Sequence, residues 1–556
     1  MSSPVVSDPL KPNHPYLSGN FALVRKTFPL TPCRFEGKIL LELAGGQYVR
    51  NGSNPLSDNS DMYDAHWFDG DGMLSGVLFQ RNGSDIQPEF VNQYLMTDVF
   101  AYVSGNRALR RPFLPSIAVL INALTPVWKV VWAVLRSVIL VVLSWLPGSR
   151  SVVRKTNVAN TAVIYHDGRA LALCESGPPL RFALPGLETV GWFDGAGAKG
   201  EQRRRSLRDG FGGGKGPLRF MRQWTTAHPR VDSETGELLA FHSFFAHPYV
   251  RYSVLPPEKS GLAPLFSAPV PGIASPKMMH DFGVSRRYSV ILDMPLCFDP
   301  LRILKGQPTN PCCIFHAVNC WDTISTDSSA NSEVTVNMLV SRLTSASLVF
   351  NAANLPAPKV KPVPPEFAEE EQCRLYYSSF PLSDDVDGGP SRPHIRHQWA
   401  LSSIEFEFSS VSPLYAMTES QYVYGCSART MTFSSALGKA AKIDILAKIN
   451  ATQLILRGIK DLPQPVKGCV DTRSVREILA STDPNDPIQL FEMPEGWFAQ
   501  EPRFVPRDDA KLEDDGYLLT YVFDESQMEE RGHCREDAIG ELSSDRVQNT
   551  VESWIG

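Results

Sequence analysis

From residue 39 onward, apolar and polar positions alternate in short runs separated by glycine, asparagine and aspartate, a rhythm of two that predicts β-strands joined by tight turns. Leu43–Pro55, His66–Phe79 and Glu89–Thr97 are the first such pieces. Asn157–Gly177 reads as a hairpin turning at His166-Asp167-Gly168, with Glu175 at its end. Trp224–Ala246 reads as a second hairpin, in which Asp232 and Gly236 mark the turn. Near the end an acidic turn, E-D-D-G, precedes a strand over Tyr517–Tyr521. The remainder of the chain is expected to be strands, without long amphipathic helices. Residues 1–38 are proline-rich and predict an irregular arm, and residues 39–542 the folded domain. Residues 195–216, basic and glycine-rich, predict a surface loop, and residues 356–372 a linker.

One stretch breaks the rhythm. Residues 115–147 are almost continuously apolar, interrupted by Pro126, Lys129 and Arg136. On a helix, Lys129 and Arg136 share a face, Trp128 and Trp132 lie one turn apart, and Trp145 marks the far end. That pattern predicts a helical insertion lying in a membrane surface; a buried helical pair and a true span are the alternatives.

Composition changes this picture little. Forty-four prolines and 39 glycines suit many short strands. A net charge of −6, with no long basic stripe, argues against nucleic acid as a partner. The opening residues lack a basic head and an apolar core, so no secretory signal is expected. Ten cysteines without a C-x-x-C pair read as reduced thiols of a cytoplasmic protein, peripherally membrane-associated through 115–147. Asp69-Gly70-Asp71-Gly72 begins like a calcium loop but continues with Met73 and no closing glutamate, which leaves a glycine turn. No phosphate-binding glycine motif is formed.

The chemistry is carried by histidine. His228 follows two threonines and is held from behind by Pro229; His280 precedes Asp281; His316 sits in an apolar strand. Isolated histidines flanked by β-type residues are either structural or metal ligands. Their motifs, A-H-P-R-V-D, M-H-D-F and F-H-A-V-N, together with H-W-F-D-G-D-G-M (66–73) and E-P-R-F-V-P (501–506), resemble the carotenoid cleavage oxygenases over Asn51 to Glu541. The resemblance implies an all-β, seven-bladed β-propeller with a helical or loop cap over an axial Fe(II) held by four histidines. His228, His280 and His316 match three of them. It further implies that Glu175, Glu407 and Glu501 accept the other ring N–H groups of the ligands. Glu407 competes with a surface reading, since Glu405 lies beside it, and the F-E-F match favours Glu407.

The activity implied is oxidative cleavage of a conjugated C=C bond in a carotenoid or apocarotenoid, with O2 as co-substrate and no nicotinamide, flavin or 2-oxo acid. The lipophilic polyene would be drawn from a membrane surface. A stilbene-cleaving oxygenase is the main rival; in that branch a lysine precedes the carboxylate, and here Cys174 stands in its place. Retinoid-type isomerisation is a more distant alternative. Two departures bear on the site. Residues 304–311 are shorter than the family's hairpin before the third histidine. The segment 543–556 is polar, unpatterned and without histidine, so the fourth ligand is expected to be missing, and His533 in its charged loop is not expected to replace it. A propeller that binds an apolar ligand without chemistry is the reading this departure favours.

Overall fold

A computed structural model describes residues 21–56, 65–106, 112–122, 125–198, 201, 211, 223–244, 247–276, 279–293, 313–326, 332–344, 347–353, 355, 372–382, 394–429, 442–527 and 541–542. Its strands pair mostly with their sequence neighbours, giving an all-β propeller arrangement. Among the described residues five sheets have four or five strands. Gln47–Ser53, Gly72–Asn82 and Asp85–Tyr94 form the first, with Phe28–Pro32 on its edge. Ala162–His166 through Thr189–Trp192 form the second, and Arg230–Val231 through Leu265–Pro269 the third. Cys313–Thr326, Ser332–Leu343, Cys373–Leu382 and His397–Ser402 form the fourth, extended by Cys469–Asp471 in parallel. Glu407–Ser410, Tyr422–Ser427, Ile445–Asn450 and Ile488–Glu492 form the fifth.

The predicted turns sit where their residues demand. At the first hairpin Asp167 and Gly168 both have positive φ, 49° and 76°, so the Asp-Gly pair closes His166 onto Arg169 with the twist a hairpin needs. At the second, Gly236 (φ 72°) donates its N–H to the Asp232 carbonyl at 2.8 Å, and the Asp232 carboxylate accepts from Glu234 N. Inner strands lose the alternation that identified outer ones: Tyr422–Ser427 is buried on both faces almost throughout. The largest core cluster lies there, with Trp321, Trp399, Leu401, Phe406, Val423 and Ile449 among its members.

Three expectations are corrected. Seven blades were implied; among the described residues five full sheets form, and the other strands make only two-stranded pairs, such as Gly283–Val284 with Ser289–Val290 and Arg503–Pro506 with Gly516–Leu519. The arm predicted to be irregular contributes the edge strand Phe28–Pro32, where Pro29 and Pro32 are tolerated because an edge leaves one side of the ladder unused. The later chain is not all strand: Ala451–Lys460 is a helix, capped by the Asn450 side chain and burying Leu454, Ile455 and Gly458. A Cβ on Gly458 would come within 2.5 Å of the Trp399 ring, so glycine lets this helix lie directly on the sheet.

Residues 115–147 are helical in two pieces, Ile117–Ile121 and Val127–Ser144. The first is tied to the H-W-F-D motif, because Ser116 Oγ and Ile117 N donate to the Asp69 carboxylate. Burial pushes the Asp69 carboxyl up to about 6 against those bonds. The longer helix buries only a narrow stripe, Ser137, Leu140 and Ser144, while Trp128 is 71% and Trp132 53% exposed. A buried helical pair is therefore not what forms. Cys33, Cys174, Cys320, Cys426 and Cys469 form no disulfide among the described residues, and the segments 304–311, 356–371 and 543–556 and His533 lie outside the described residues.

Candidate metal centre

Three separate segments bring the histidines to one place. His228 leads into the short strand Arg230–Val231, His280 precedes Gly283–Val284, and His316 lies within Cys313–Thr326. The register of that last strand slips on both sides of His316, between Ile314 and His316 and between Ala317 and Asn319, and such bulges re-aim a side chain. One nitrogen from each ring lies within 4.8 Å of the other two. Ring centroids are 4.5 Å apart for His228 and His280, 5.1 Å for His228 and His316, and 5.4 Å for His280 and His316.

Carboxylates hold two of the rings from behind. His280 Nδ1 meets Glu175 Oε1 at 2.5 Å, and His316 Nδ1 meets Glu407 Oε2 at 2.7 Å. A donor commitment at Nδ1 leaves Nε2 free to offer its lone pair to the shared point. Glu407 Oε2 also accepts from Phe408 N, which is possible because Phe408 adopts a positive φ of 53°. A bulky residue held in that region stores strain, which is common at functional sites. Glu175 and Glu407 thus each face the Nδ1 of one clustered histidine. The Glu501 carboxylate is turned to Arg503 at 2.9 Å and Arg50 at 4.0 Å. Glu405, the alternative to Glu407, accepts instead from Cys373 N at 3.0 Å.

The electrostatics divide the three rings. Burial, reinforced by His280 and His316, holds His228 well below its ordinary pKa, so it is neutral. At His316 burial also opposes charge, yet Glu407 outweighs it and lifts the pKa to about 9. At Glu175 burial works against the carboxylate, and His280 more than offsets it, leaving the pKa lowered.

Three imidazoles without a carboxylate among them are a donor set suited to iron, zinc, copper or nickel. Their spacing calls for a proton or a metal ion at the meeting point. His228 Nε2 and His280 Nε2 lie 2.9 Å apart, a distance two lone pairs reach only with a proton or a metal between them. The residues fit a divalent ion.

Sequence reasoning passed over the wall around this point. Phe315 packs 4.4 Å from the His280 ring centroid and 5.4 Å from that of His316, Phe408 lies 6.0 Å from His316, and Phe68 lies 5.7 Å from Phe315. The signal was the phenylalanine beside each motif residue, in W-F-D, F-H-A and F-E-F.

The family described as retinal pigment epithelial membrane protein matches residues 21–308 and 302–534. The chain is 45% identical to the carotenoid dioxygenase carX of Gibberella fujikuroi, over 97% of this chain and 86% of that protein. It is 27% identical to the carotenoid 9,10(9',10')-cleavage dioxygenase 1 of Arabidopsis thaliana, over 92% of this chain and 82% of that protein. Among solved structures, the lignostilbene dioxygenase of Pseudomonas brassicacearum is similar with a TM-score of 0.59 at 19% identity, covering 94% of this chain and 95% of that one, a likeness of fold.

Proposed function

The chain belongs to the retinal pigment epithelial membrane protein family, that of the carotenoid oxygenases, and from that premise we propose that it is an Fe(II)-dependent dioxygenase that cleaves a conjugated C=C bond of a carotenoid or apocarotenoid into two carbonyl products. The observation that carries this reading is the convergence of His228, His280 and His316 with Glu175 and Glu407 behind two of them. Iron bound there would supply the activation of O2, both of whose atoms end in the products. The chain's own residues do the rest. The three Nε2 atoms hold the ion, the two glutamates fix the tautomers, and Phe68, Phe315 and Phe408 keep water out and give a polyene an apolar wall.

The polyene is favoured over a phenolic stilbene by Cys174. Burial, then the neighbouring Glu175, pushes this thiol's pKa up, so the position holds a neutral group where a cation would be needed to engage a phenolate. The exposed tryptophan-bearing face of Val127–Ser144 supports contact with a membrane surface near a capped site, because the short helix before it, Ile117–Ile121, is tied through Asp69 to the segment carrying Phe68. Cytoplasmic residence with peripheral attachment fits this reading.

The test is to load purified protein with Fe(II), supply an apocarotenoid and O2, and measure aldehyde formation and iron per chain. One iron and aldehyde products are expected, both lost in His280→Ala. Iron-independent turnover, or full iron binding by His280→Ala, would overturn the assignment.

A further inference from the structure

The residues that follow each histidine are not idle. Arg230 lies two residues after His228, Asp281 directly after His280, and Ala317 directly after His316, and these three meet. Arg230 Nη2 donates to both oxygens of Asp281, at 2.9 and 2.8 Å, and to the Ala317 carbonyl at 2.6 Å. Asp281 in turn accepts from Ala317 N at 2.8 Å and from Phe282 N at 2.7 Å. Its side chain is 1% exposed and that of Arg230 30%, so the carboxylate end of the bridge is shielded from water. On the other side, Thr226 Oγ1 accepts from His228 N at 3.1 Å and donates to the His280 carbonyl at 3.2 Å. The backbones carrying the three candidate ligands are therefore fastened to one another at their next residues, by groups that point away from the ion.

We infer that Arg230 and Asp281 are positioning residues of the metal centre: their bridge sets the mutual spacing of His228, His280 and His316 before any ion arrives. This rests on the proposed metal reading. A multiply hydrogen-bonded ion pair with its carboxylate buried is poorly suited to adding stability, since desolvation offsets much of its attraction, but well suited to specifying one geometry. Asp281 uses both oxygens against three different donors, and an amide at that position would face one donor with another. Arg230 reaches a carboxylate and a carbonyl with one planar group, which an ammonium reproduces only in part.

The experiment titrates the full chain with Co(II) and reads affinity and the Co(II) absorption spectrum, with thermal unfolding of the metal-free chain measured alongside. Asp281→Asn and Arg230→Met are expected to weaken Co(II) binding by ~10–100-fold and to alter the spectrum, with Arg230→Lys recovering part of the loss. Thr226→Val, which keeps the shape and removes the second tie, is expected to weaken binding in the same direction and decides the matter if Asp281→Asn does not fold. Asp471→Asn is the control, because it opens a comparable bridge, Arg473 with Asp471 and Asp486, that touches no ligand segment. It should lower the unfolding temperature and leave Co(II) affinity and spectrum unchanged. Wild-type affinity and spectrum in Asp281→Asn, Arg230→Met or Thr226→Val would overturn the inference, as would an equal loss in Asp471→Asn. Failure of the wild-type chain itself to bind Co(II) would overturn the metal reading and the inference with it.

Discussion

Glu407→Gln removes one charge while keeping the shape of the side chain, and its effect on metal binding should reverse in emphasis with pH. In the metal-free chain Glu407 accepts from His316 Nδ1 at 2.7 Å. Burial disfavours a charged ring there, but the carboxylate lifts the His316 pKa from 6.5 to about 9. A ring protonated on both nitrogens has no lone pair to offer, so below that pH each ion bound must displace a proton from His316. Apparent affinity then falls about tenfold per pH unit from this group alone, or ~100-fold between about pH 8 and pH 6. In Glu407→Gln burial acts unopposed, the ring stays neutral through this range, and that share of the slope disappears. Near pH 7 the variant gains ~100-fold from lost proton competition and loses ~10–100-fold from the missing carboxylate, so it binds within about tenfold of the native chain. Near pH 9 only the loss remains.

Co(II) titration of both chains from pH 6 to 9 reads this as a difference of slopes, in which other titrating groups cancel. Parallel slopes would refute the reasoning. A stability measurement checks the same shift without metal. Because the folded-state pKa is raised above 6.5, the proton on His316 stabilises the metal-free chain fully below about 6.5, and that contribution is lost as pH rises through about 9. Its size is on the order of 3 kcal/mol, and it should be absent from Glu407→Gln in denaturant melts.

Glu175→Gln should weaken Co(II) binding by ~10–100-fold, whereas Glu501→Gln, whose carboxylate is engaged by Arg503, should stay near the native value in the same titration. Serine at Trp128, Trp132 and Val138 together removes three exposed apolar side chains, each worth ~1.5–3 kcal/mol when fully buried, and should cut partition onto liposomes by at least about tenfold with the fold retained by circular dichroism. Gly458→Ala drives a methyl group into the Trp399 ring and should cost about 1–3 kcal/mol in denaturant unfolding, leaving metal affinity unchanged.

Much of the fold was legible because tight turns demand particular residues. Asp167-Gly168 and Asp232 with Gly236 mark hairpins by what their backbones must do, whatever the rest of the chain does. The helix Ala451–Lys460 was not read, since L-I-L among strands looks like another strand; the signal against it was Asn450 at the cap and the i, i+4 pairing of Leu454 with Gly458. Blade number was not legible at all, because a blade is a count of ladder bonds between segments, and composition and alternation are the same for a lone hairpin and for an outer pair of a full sheet. For residues 127–144 the sequence left a buried helical pair open beside an interfacial helix, and the exposure of Trp128 and Trp132 is what separates the two.

The site was legible to different depths for a physical reason. His228, His280 and His316 could be singled out by their flanks, but their meeting depends on three segments that no local pattern relates. Glu407 and Glu501 looked alike in the sequence, each beside a phenylalanine or proline in a strand context, and only their neighbours separate them: one faces an imidazole, the other a guanidinium two residues along its own motif. What does tie the histidine motifs together is written just after each of them, in Arg230, Asp281 and Ala317. A histidine by itself can occur anywhere. One whose next residues must share a single bridge with two other segments has its distance to the other histidines constrained before any metal binds, and that constraint is what a three-nitrogen site requires.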